Sequence, residues 1–330
     1  MTVVVCAAAD HRFFELLHLM VLSVRHKPEG RRVSLAILDL GLTPEQRTLL
    51  GPLVDRMVEP GWDMRFATSG NQSGREAWRG FKAMTARPFL PRHFPGYETY
   101  VWIDSDAWVQ DWHAVDCLVR AAAGGAIAIV PEIDRSYRTE YDRGRNRRWM
   151  MHNYRRFFGK SAAEALWLMP VLNSGVFALR HDAVHWQAWA EDFQAGLLRE
   201  TDLTVEQTAL NHAIYTRGLP HHFLPSRFNW LVNKALPKYD PVTGQFTDPV
   251  PPHEPLGIVH LSGDAKKTKH LLRCIDGRGM FGTWLRYRPE RAVQGYEPPN
   301  RAPLAEAHHL AEQQAASRRR ARLRPERPSE

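Results

Sequence analysis

The sequence has few cysteines and no long apolar run, and each shortage excludes a class of protein. The three cysteines lie far apart and lack the paired spacing of a zinc module, so we expect free thiols in a reducing cytosol. The best candidate for a membrane span, residues 13–24, is interrupted by Glu15 and His18 and is too short to cross a bilayer. The first apolar run has no basic segment before it and ends at Asp10, which indicates a strand rather than a signal peptide. We therefore expect a cytoplasmic protein, with peripheral attachment at the inner face of the plasma membrane left open. The cysteines are Cys6, Cys117 and Cys274.

Positive charge is concentrated in one segment. The net charge of the chain is +8, and residues 135–160 hold eight Arg and one Lys against Glu140 and Asp142. Aromatic residues are interleaved with these cations, among them Tyr137, Trp149 and Tyr154. A solvated basic loop is one interpretation, and a surface for an anionic, partly apolar partner is the other. No helix-turn-helix, zinc or RNP-type motif supports nucleic acid as that partner.

Apolar strands and helices of amphipathic spacing alternate through the first half of the chain. Residues 3–9, 33–38, 99–103 and 126–130 are predicted strands, and Thr43-Pro44 is predicted to cap a helix that runs to about Val54. Further strands are predicted at 171–180 and 257–261, with helices at 183–198 and 203–215, where Thr204 is a candidate cap. Residues 239–255 read as a surface loop, and 304–323 as a surface helix in a Pro- and Arg-rich tail. This alternation predicts an α/β fold, a mostly parallel central sheet flanked by helices.

The segment Tyr-Val-Trp-Ile-Asp-Ser-Asp carries the strongest chemical signal. An apolar run leads directly into Asp104 and Asp106, which are best placed at the carboxyl end of a buried strand, where open α/β sheets bind ligands. Two oxygen ligands at this spacing suit a divalent cation that also binds phosphate oxygens. Ordinary turn aspartates after a strand are the alternative.

Five further pieces accompany these aspartates. They are Ala8-Ala9-Asp10, Asn173-Ser174-Gly175, Glu206-Gln207, Pro225-Ser-Arg-Phe-Asn229, and His260-Leu-Ser-Gly263-Asp-Ala-Lys266. In their order and local spacing the six pieces resemble retaining glycosyltransferases of the family 8 type. The resemblance covers most of residues 3–270 and implies the GT-A fold, a Rossmann-like fold of nucleotide-diphospho-sugar transferases. It implies a catalytic domain over residues 1–290 and a tail, partly helical or disordered, over 291–330.

The resemblance implies a role for each matching residue. A divalent metal, Mn²⁺ or Mg²⁺, would be bound by Asp104, Asp106 and His260. Gln207 would lie beside the anomeric carbon, with Glu206 as an alternative nucleophile. The UDP-sugar donor would contact Ala8, Asp10, Lys82, Asp104, Ser105, Asn173, Ser174, Gly263 and Lys266.

Several of these roles have a structural alternative. Asp10 is as well explained by a cap on the following helix, and Arg87 competes with Lys82 as the basic donor-binding residue. His260 fits a structural hydrogen bond, Glu206-Gln207 fits an ordinary helix start, and residues 266–270 fit a solvated basic turn. The sequence also departs from the family. His11 and Arg12 stand where the family often has Asp and Asn, and Lys267-Thr268-Lys269 follows Lys266 where the family usually has Pro-Trp.

The predicted activity is transfer of a hexosyl group from a UDP-sugar to a glycan or lipid-linked saccharide, such as lipopolysaccharide, with retention of configuration. An amide at position 207 is a poor nucleophile, which favours a same-face mechanism over a covalent intermediate. The acceptor is expected to be anionic and to contact Arg145, Arg147 and Arg148. Two alternatives are a sugar-nucleotide pyrophosphorylase, which would need a Gly-rich phosphate loop absent after the first strand, and a non-catalytic protein that binds an anionic ligand.

Overall fold

A seven-stranded sheet forms the centre of the protein, whose computed structural model describes residues 2–66, 79–137 and 145–289. Its strands are β1 (Val3–Ala9), β2 (Ser34–Asp39), β3 (Arg56–Val58), β4 (Thr99–Ile103), β6 (Ile127–Pro131), β7 (Leu172–Arg180) and β8 (His221–Phe223). Strand β5 (Ala107–Val109) does not belong to this sheet. Their order is β3-β2-β1-β4-β7-β6-β8. Strand β7 is antiparallel to both of its neighbours, and the other paired strands are parallel. The mostly parallel α/β sheet expected from the sequence is confirmed.

Helices cover both faces of this sheet. They are α1 (Phe14–Arg25), α2 (Pro44–Leu50), α3 (Arg79–Ala86), α4 (Leu90–His93), α5 (His113–Ala122), α6 (Arg145–Phe158), α7 (Lys160–Leu166), α8 (His185–Arg199) and α9 (Val205–Thr216). Alternate residues of β1 enter two separate cores: Val4 and Cys6 pack with residues of α3, α8 and α9, whereas Val5 and Ala7 pack with residues of α1 and α5. A strand buried on both faces explains the continuous apolar run of β1.

Short strands build a second layer beside the main sheet. They are β9 (Trp230–Leu231), β10 (Lys238–Tyr239), β11 (Phe246–Thr247), β12 (Ile258–His260), β13 (His270–Arg273) and β14 (Met280–Thr283). Strand β12 lies between β5 and β9, antiparallel to β5 and parallel to β9. Because His260 pairs with Ala107 in that register, the end of β12 is held directly beside Asp106.

The local expectations hold in most places and fail in three. Thr43 caps α2 as predicted, with a reciprocal capping box to Gln46, although the α-helix ends at Leu50 and continues as a 3₁₀ turn. Thr204 does not cap α9 with its side chain, because its hydroxyl donates to Asp202 instead. The other two corrections concern whole segments. Residues 239–255 contain β11, which pairs with β10, and the basic segment contains the helix α6 rather than a simple loop.

The predicted surface helix at 304–323 and the predicted tail at 291–330 lie outside the described residues. The division into these two domains therefore stays a prediction. Among the helices of the described ranges, none has the length and apolarity needed to cross a membrane.

Candidate active site

The polar pieces singled out in the sequence meet at one edge of the sheet. Asp10 follows β1 and Asp104 follows β4, and these parallel neighbours end on the same side. Because β7 is antiparallel, its beginning lies at that edge too: Asn173 pairs with Val130, near the end of β6. The carboxyl ends of the strands and the start of β7 therefore form one cluster of polar side chains.

Asp104, Asp106 and His260 come together as the sequence predicts. Each offers one ligand atom, and these three atoms lie within 4.8 Å of one another. The Nε2 atom of His260 is 3.3 Å from Asp106 Oδ1 and 3.8 Å from Asp104 Oδ2. Two carboxylates and one imidazole are a ligand set suited to a divalent first-row metal such as Mn²⁺, and they leave positions for phosphate oxygens. The residues present therefore fit the metal that the resemblance implies.

Close packing around the three ligands depends on Gly175. A Cβ atom at this position would lie 2.5 Å from His260 Cε1, 2.7 Å from Asp104 Oδ2 and 2.9 Å from Asn173 Oδ1. The backbone of β7 can approach the ligands this closely because residue 175 has no side chain. The carbonyl of Gly175 also accepts a hydrogen bond from the amide of Asp104, at 2.8 Å, which fixes the start of the Asp-Ser-Asp turn.

Electrostatic interactions within the cluster are strong because the groups are buried. Burial raises the pKa of Asp106, but His260 and Lys266 outweigh burial and hold that pKa well below its usual range. Burial lowers the pKa of His260, but Asp106 and Asp104 outweigh it, so the pKa of the imidazole is raised. The side chain of Lys266 forms an ion pair with Asp106 and lies over the ring of Phe13. A cation is thus already at the position where negative charge on a ligand would be balanced.

Gly263 and Lys266 belong to a short 3₁₀ turn, Gly263–Lys267, that follows β12. Gly263 has a φ of 61°, a conformation that favours glycine, and it is exposed. Asn233 supports this loop, because its Oδ1 atom accepts a hydrogen bond from the hydroxyl of Ser262 at 2.6 Å. The loop therefore presents one backbone segment and one cation beside Asp106.

Arg87 joins the metal-ligand candidates to Glu206. Its NH2 group donates to Asp104 Oδ1 at 2.9 Å, and its NH1 group donates to Glu206 Oε1 and to Ser174 Oγ, each at 3.0 Å. Ser174 in turn donates to the second carboxylate oxygen of Glu206 at 2.9 Å. Burial raises the pKa of Glu206 against the opposing effect of Arg87. Both oxygens of Glu206 are therefore occupied by partners within the protein.

Gln207 lies in a second polar group with Asn173. The Oε1 atom of Gln207 accepts from the amide of Ser174 at 3.2 Å, and its Nε2 atom lies 3.4 Å from Glu132 Oε1. Asn173 donates to the same Glu132 oxygen at 2.9 Å, and Lys234 lies 3.0 Å from the other oxygen. Glu206 is buried, whereas Gln207 is partly exposed. Of the two candidate catalytic residues, Gln207 is the one that a ligand can reach.

The remaining donor-binding candidates contact residues close to them in the sequence or in the same region of the fold. Asp10 accepts from the backbone amides of Arg12 and Phe13, at 2.9 and 3.2 Å, and from the Arg12 side chain. These bonds form a turn before α1, whose N-cap residue is Phe13 and has no side-chain cap, so Asp10 does not cap that helix. Burial raises the pKa of Asp10, but Arg12 outweighs it and lowers the pKa. Ala8 is buried beside it in β1, and Ser105 is half-buried between the two aspartates. Lys82 lies over the Trp62 ring, 5.7 Å from its centroid, and its role as a donor-binding residue stays a prediction.

The proposed acceptor arginines belong to α6. Arg147 and Arg148 are exposed, and Arg145 starts the helix. The inner face of α6 is apolar: Met150, Tyr154 and their neighbours pack against α7 and Val171, directly before β7. The helix that carries the arginines is thereby fixed to the strand that carries Asn173 and Ser174.

The sequence did not indicate Glu132 or Lys234 as site residues, and it indicated Arg87 only as an alternative to Lys82. Glu132 follows β6 as Asp104 follows β4, and this position at a strand end was the available signal. Arg87 was considered as a competitor of Lys82, and the structure brings Arg87 into contact with Asp104. Lys234 has no local signal, since it reaches Glu132 across about a hundred residues of sequence.

No family model matches the sequence, and no curated protein matches it. Solved structures to which the chain is similar include glycosyltransferases. The galactosyltransferase LgtC, in complex with donor and acceptor sugar analogs, is 15% identical, with a TM-score of 0.49, over 79% of this chain and 88% of LgtC. The bifunctional glycosyltransferase WbbM is 17% identical, with a TM-score of 0.48, over 79% of this chain and 46% of WbbM. Core-mannan synthase A from Aspergillus fumigatus, in an Mn/GDP form, is 8% identical, with a TM-score of 0.43, over 67% and 70% of the two chains.

Proposed function

We propose that this chain is a metal-dependent, retaining glycosyltransferase that uses a UDP-sugar. The observation that carries the proposal is the juxtaposition at one sheet edge of three metal-ligand candidates, a lysine and a buried group of amides and carboxylates. A metal with a cation beside it suits a diphosphate, and the amides suit sugar hydroxyls. The GT-A type resemblance of the sequence motifs supports the same assignment.

Asp104, Asp106 and His260 would hold the divalent ion, Mn²⁺ or Mg²⁺, whose chemistry is to neutralise charge on the departing nucleoside diphosphate. Lys266 adds a cation on the same side, at a distance set by its contact with Asp106. As the bond between the sugar and the phosphate breaks, negative charge grows on the phosphate oxygen. Fixed cations stabilise that charge more in the transition state than in the bound donor, so they raise the rate of transfer.

Residues at the other end of the site would bind the sugar. Asn173, Ser174 and Gln207 are proposed to line that part of the site, and Glu132 and Arg87 hold their amide and hydroxyl groups in place. Of the three, Gln207 is the partly exposed one. Ala8, Asp10, Ser105 and Gly263 are proposed to line the nucleotide and diphosphate part of the donor site. Polar groups in fixed positions discriminate between sugar epimers because a wrong epimer leaves one of them unpaired.

The contacts of Glu206 favour a same-face mechanism. A carboxylate nucleophile must reach the anomeric carbon, but both oxygens of Glu206 are engaged by Arg87 and Ser174. Gln207 is accessible but is an amide, a poor nucleophile. We therefore assign the attack to the acceptor hydroxyl, whose proton passes to the leaving phosphate oxygen as the new glycosidic bond forms on the same face.

The acceptor is proposed to be an anionic glycan or glycolipid, such as lipopolysaccharide or another surface polysaccharide precursor. Arg147 and Arg148 are exposed on α6, together with Trp149, which is 40% exposed. Arginine beside an exposed aromatic ring suits a ligand that is both anionic and partly apolar. Peripheral contact with an anionic membrane surface would bring such an acceptor to the site.

Calorimetric titration with UDP tests the assignment against its alternatives. A glycosyltransferase should bind UDP only when Mn²⁺ is present and should then slowly hydrolyse one member of a UDP-sugar panel. A pyrophosphorylase would instead release pyrophosphate from a nucleoside triphosphate and a sugar phosphate. A protein that binds anions without catalysis would show salt-dependent binding of anionic ligands and no turnover. Absence of metal-dependent UDP binding would overturn the proposal.

A further inference from the structure

A chain of side-chain amides connects the candidate metal ligand His260 to the candidate sugar-binding residue Asn173. The Nδ1 atom of His260 lies 2.8 Å from Asn229 Oδ1, and Asn229 Nδ2 lies 2.9 Å from Asn173 Oδ1. These three side chains are at least nine-tenths buried, so each hydrogen bond is protected from water. Polar groups buried in this way are expensive to leave unpaired, which makes the orientation of each one well determined.

The donor and acceptor of each hydrogen bond in this series follow from the partners of Asn173. The backbone amide of Gly175 donates to Asn173 at 3.0 Å, and a backbone N–H can only donate, so the accepting atom is the Asn173 oxygen. The other end of the same amide faces Glu132 Oε1 at 2.9 Å, and a carboxylate that also contacts Lys234 accepts, so that atom is the nitrogen. The two partners, Gly175 and Glu132, therefore independently indicate the same orientation of the Asn173 amide group.

Once Asn173 is fixed, Asn229 has one possible orientation. Its nitrogen must face the Asn173 oxygen, so its own oxygen faces His260. An oxygen acceptor requires His260 to carry a hydrogen on Nδ1. In the neutral ring the lone pair is then on Nε2, the atom that faces Asp106 and Asp104.

We propose that Asn229 is a positioning residue that holds His260 in the Nδ1–H tautomer and directs Nε2 toward the metal. This inference rests on the proposed metal site, but the tautomer itself is a property of the metal-free chain. Residues that orient a metal-binding histidine through its second nitrogen commonly change metal affinity by about 10- to 100-fold when they are replaced. Through Asn173, the same amides also link the metal site to the sugar site.

The local fold explains why Asn229 can reach His260. Asn229 directly precedes β9, and Leu231 of β9 pairs with His260 of β12 in a parallel register. The backbone of Val232 donates to the carbonyl of His260 at 3.0 Å, which holds the two strands in this register. The contact is thus set by main-chain pairing rather than by the amide alone, so replacing the amide should leave the strand in place.

The first experiment measures the tautomer without metal. Nitrogen chemical shifts of histidine-labelled, metal-free protein are recorded at alkaline pH, where the ring is neutral, and His260 is assigned by difference from His260→Gln. We expect hydrogen on Nδ1 in the wild type. Asn229→Ala should give a mixture. Hydrogen on Nε2 in the wild type would overturn the proposal, whatever the variants do.

The second experiment measures Mn²⁺ affinity by electron paramagnetic resonance. We expect Asn229→Ala to weaken binding about 10- to 100-fold. Asn153→Ala, which removes another buried amide, on α6, should bind as the wild type does. Equal affinity in Asn229→Ala and the wild type would overturn the positioning role and leave the metal site intact. If the wild type binds no Mn²⁺, the proposed metal site fails and the tautomer measurement still decides the orientation of His260.

Discussion

At the scale of single residues, the site is defined by groups that are buried yet charged. Asp106 and His260 have 9% and 3% of their surface exposed. The buried carboxylate of Asp106 is compensated by His260 and Lys266, whereas His260 is compensated by Asp106 and Asp104. Removing one member leaves a buried charge without its partner. Substitutions at these positions should therefore affect ligand binding first, since the strands that hold them are fixed by backbone pairing.

We expect Asp106→Ala and His260→Ala each to abolish metal-dependent turnover of the donor while the protein stays folded. Each substitution removes one of three ligands and leaves an incomplete metal site. Hydrolysis of the UDP-sugar with Mn²⁺ is measured beside a thermal melting curve. Turnover close to that of the wild type in either variant would contradict the metal assignment.

Gly175→Ala should disrupt the metal site through a single methyl group. The added Cβ would lie 2.5 Å from His260 and 2.7 Å from Asp104, distances that force one ligand to move. We expect Mn²⁺ affinity to fall by at least about tenfold, on the scale seen when the surroundings of a ligand are disturbed. Gly124→Ala is the matched control, since a Cβ there would meet nothing within 4 Å. Similar affinities in both variants would show that the ligands are not confined by the β7 backbone.

Lys266→Ala should reduce kcat/KM for the donor by about 10²-fold, because it removes a cation from the place where charge grows in the transition state. Lys267→Ala is the control: it neutralises the next residue, an exposed lysine paired with Asp264. Steady-state hydrolysis of the UDP-sugar compares the two variants. If both lose the same small factor, Lys266 acts as an ordinary surface charge.

The residues of the site differ in how well a sequence reveals them. Asp104, Asp106 and His260 were predicted to converge, and the structure brings them together. Asp104 directly follows β4, Asp106 directly precedes β5, and His260 ends β12, which pairs with β5. Glu132 also directly follows a strand, β6, but a single carboxylate at a strand end is a weaker signal than two aspartates one residue apart. The contacts of Arg87 and Lys234 depend on the packing of distant segments, which no local pattern encodes.

At the scale of helices and strands, side-chain periodicity was a better guide than charge. The inner face of α6 is buried at Met150, Asn153, Tyr154 and Phe157, the spacing of one helical face. The arginines between these positions fit a basic loop as well as a helix, but the spacing of the buried residues is that of a helix. Strands β10 and β11 have two residues each, too few to show an alternation of apolar and polar side chains. The sequence therefore predicted a loop over 239–255, where β11 lies.

Helices α8 and α9 are joined by an ionic cluster that should make their packing sensitive to pH. Asp192 on α8 accepts from His212 of α9 at 2.6 Å and contacts Arg217. Burial raises the pKa of Asp192, but His212 and Arg217 outweigh it and lower the pKa. A carboxyl group whose pKa is lowered on folding stabilises the protein above its unfolded pKa of about 3.9, and this contribution is lost as the pH falls through the lower, folded pKa.

Asp192→Asn should therefore reduce the free energy of unfolding by about 1–3 kcal/mol at pH 7, and the difference from the wild type should shrink toward pH 3. Urea unfolding across this pH range measures it. Asp182→Asn serves as the control, because Asp182 pairs with Arg180 at an exposed position and should have a much smaller effect. A difference at Asp192 that is constant with pH would show that the cluster stabilises by packing rather than by charge.

At the scale of the whole molecule, the two parts of the proposed donor site lie on different strands and helices. Strands β4 and β12 carry the metal-ligand candidates, whereas β7 and α9 carry the groups assigned to the sugar. Helix α6 and its arginines are attached to the start of β7 through α7 and Val171. Helix α6 lies next to the proposed donor site but carries none of the metal-ligand or sugar-binding candidates, so substitutions of its arginines should affect the acceptor and not the donor.

Replacing Arg145, Arg147 and Arg148 together with Ser should raise KM for an anionic acceptor and leave hydrolysis of the donor without acceptor near the wild-type rate. In the proposed site the metal and Lys266 would balance the charge of the diphosphate, so we expect the charge of α6 to have another target. Rough-form lipopolysaccharide is the test acceptor, and the rise in KM should diminish at high salt, where such interactions are screened. Arg32→Ser with Arg273→Ser and Arg278→Ser, three exposed arginines outside α6, controls for net charge. Equal loss of donor hydrolysis in the triple variant would contradict the separation of roles, and an unchanged acceptor KM at low salt would contradict the role of α6 in acceptor binding.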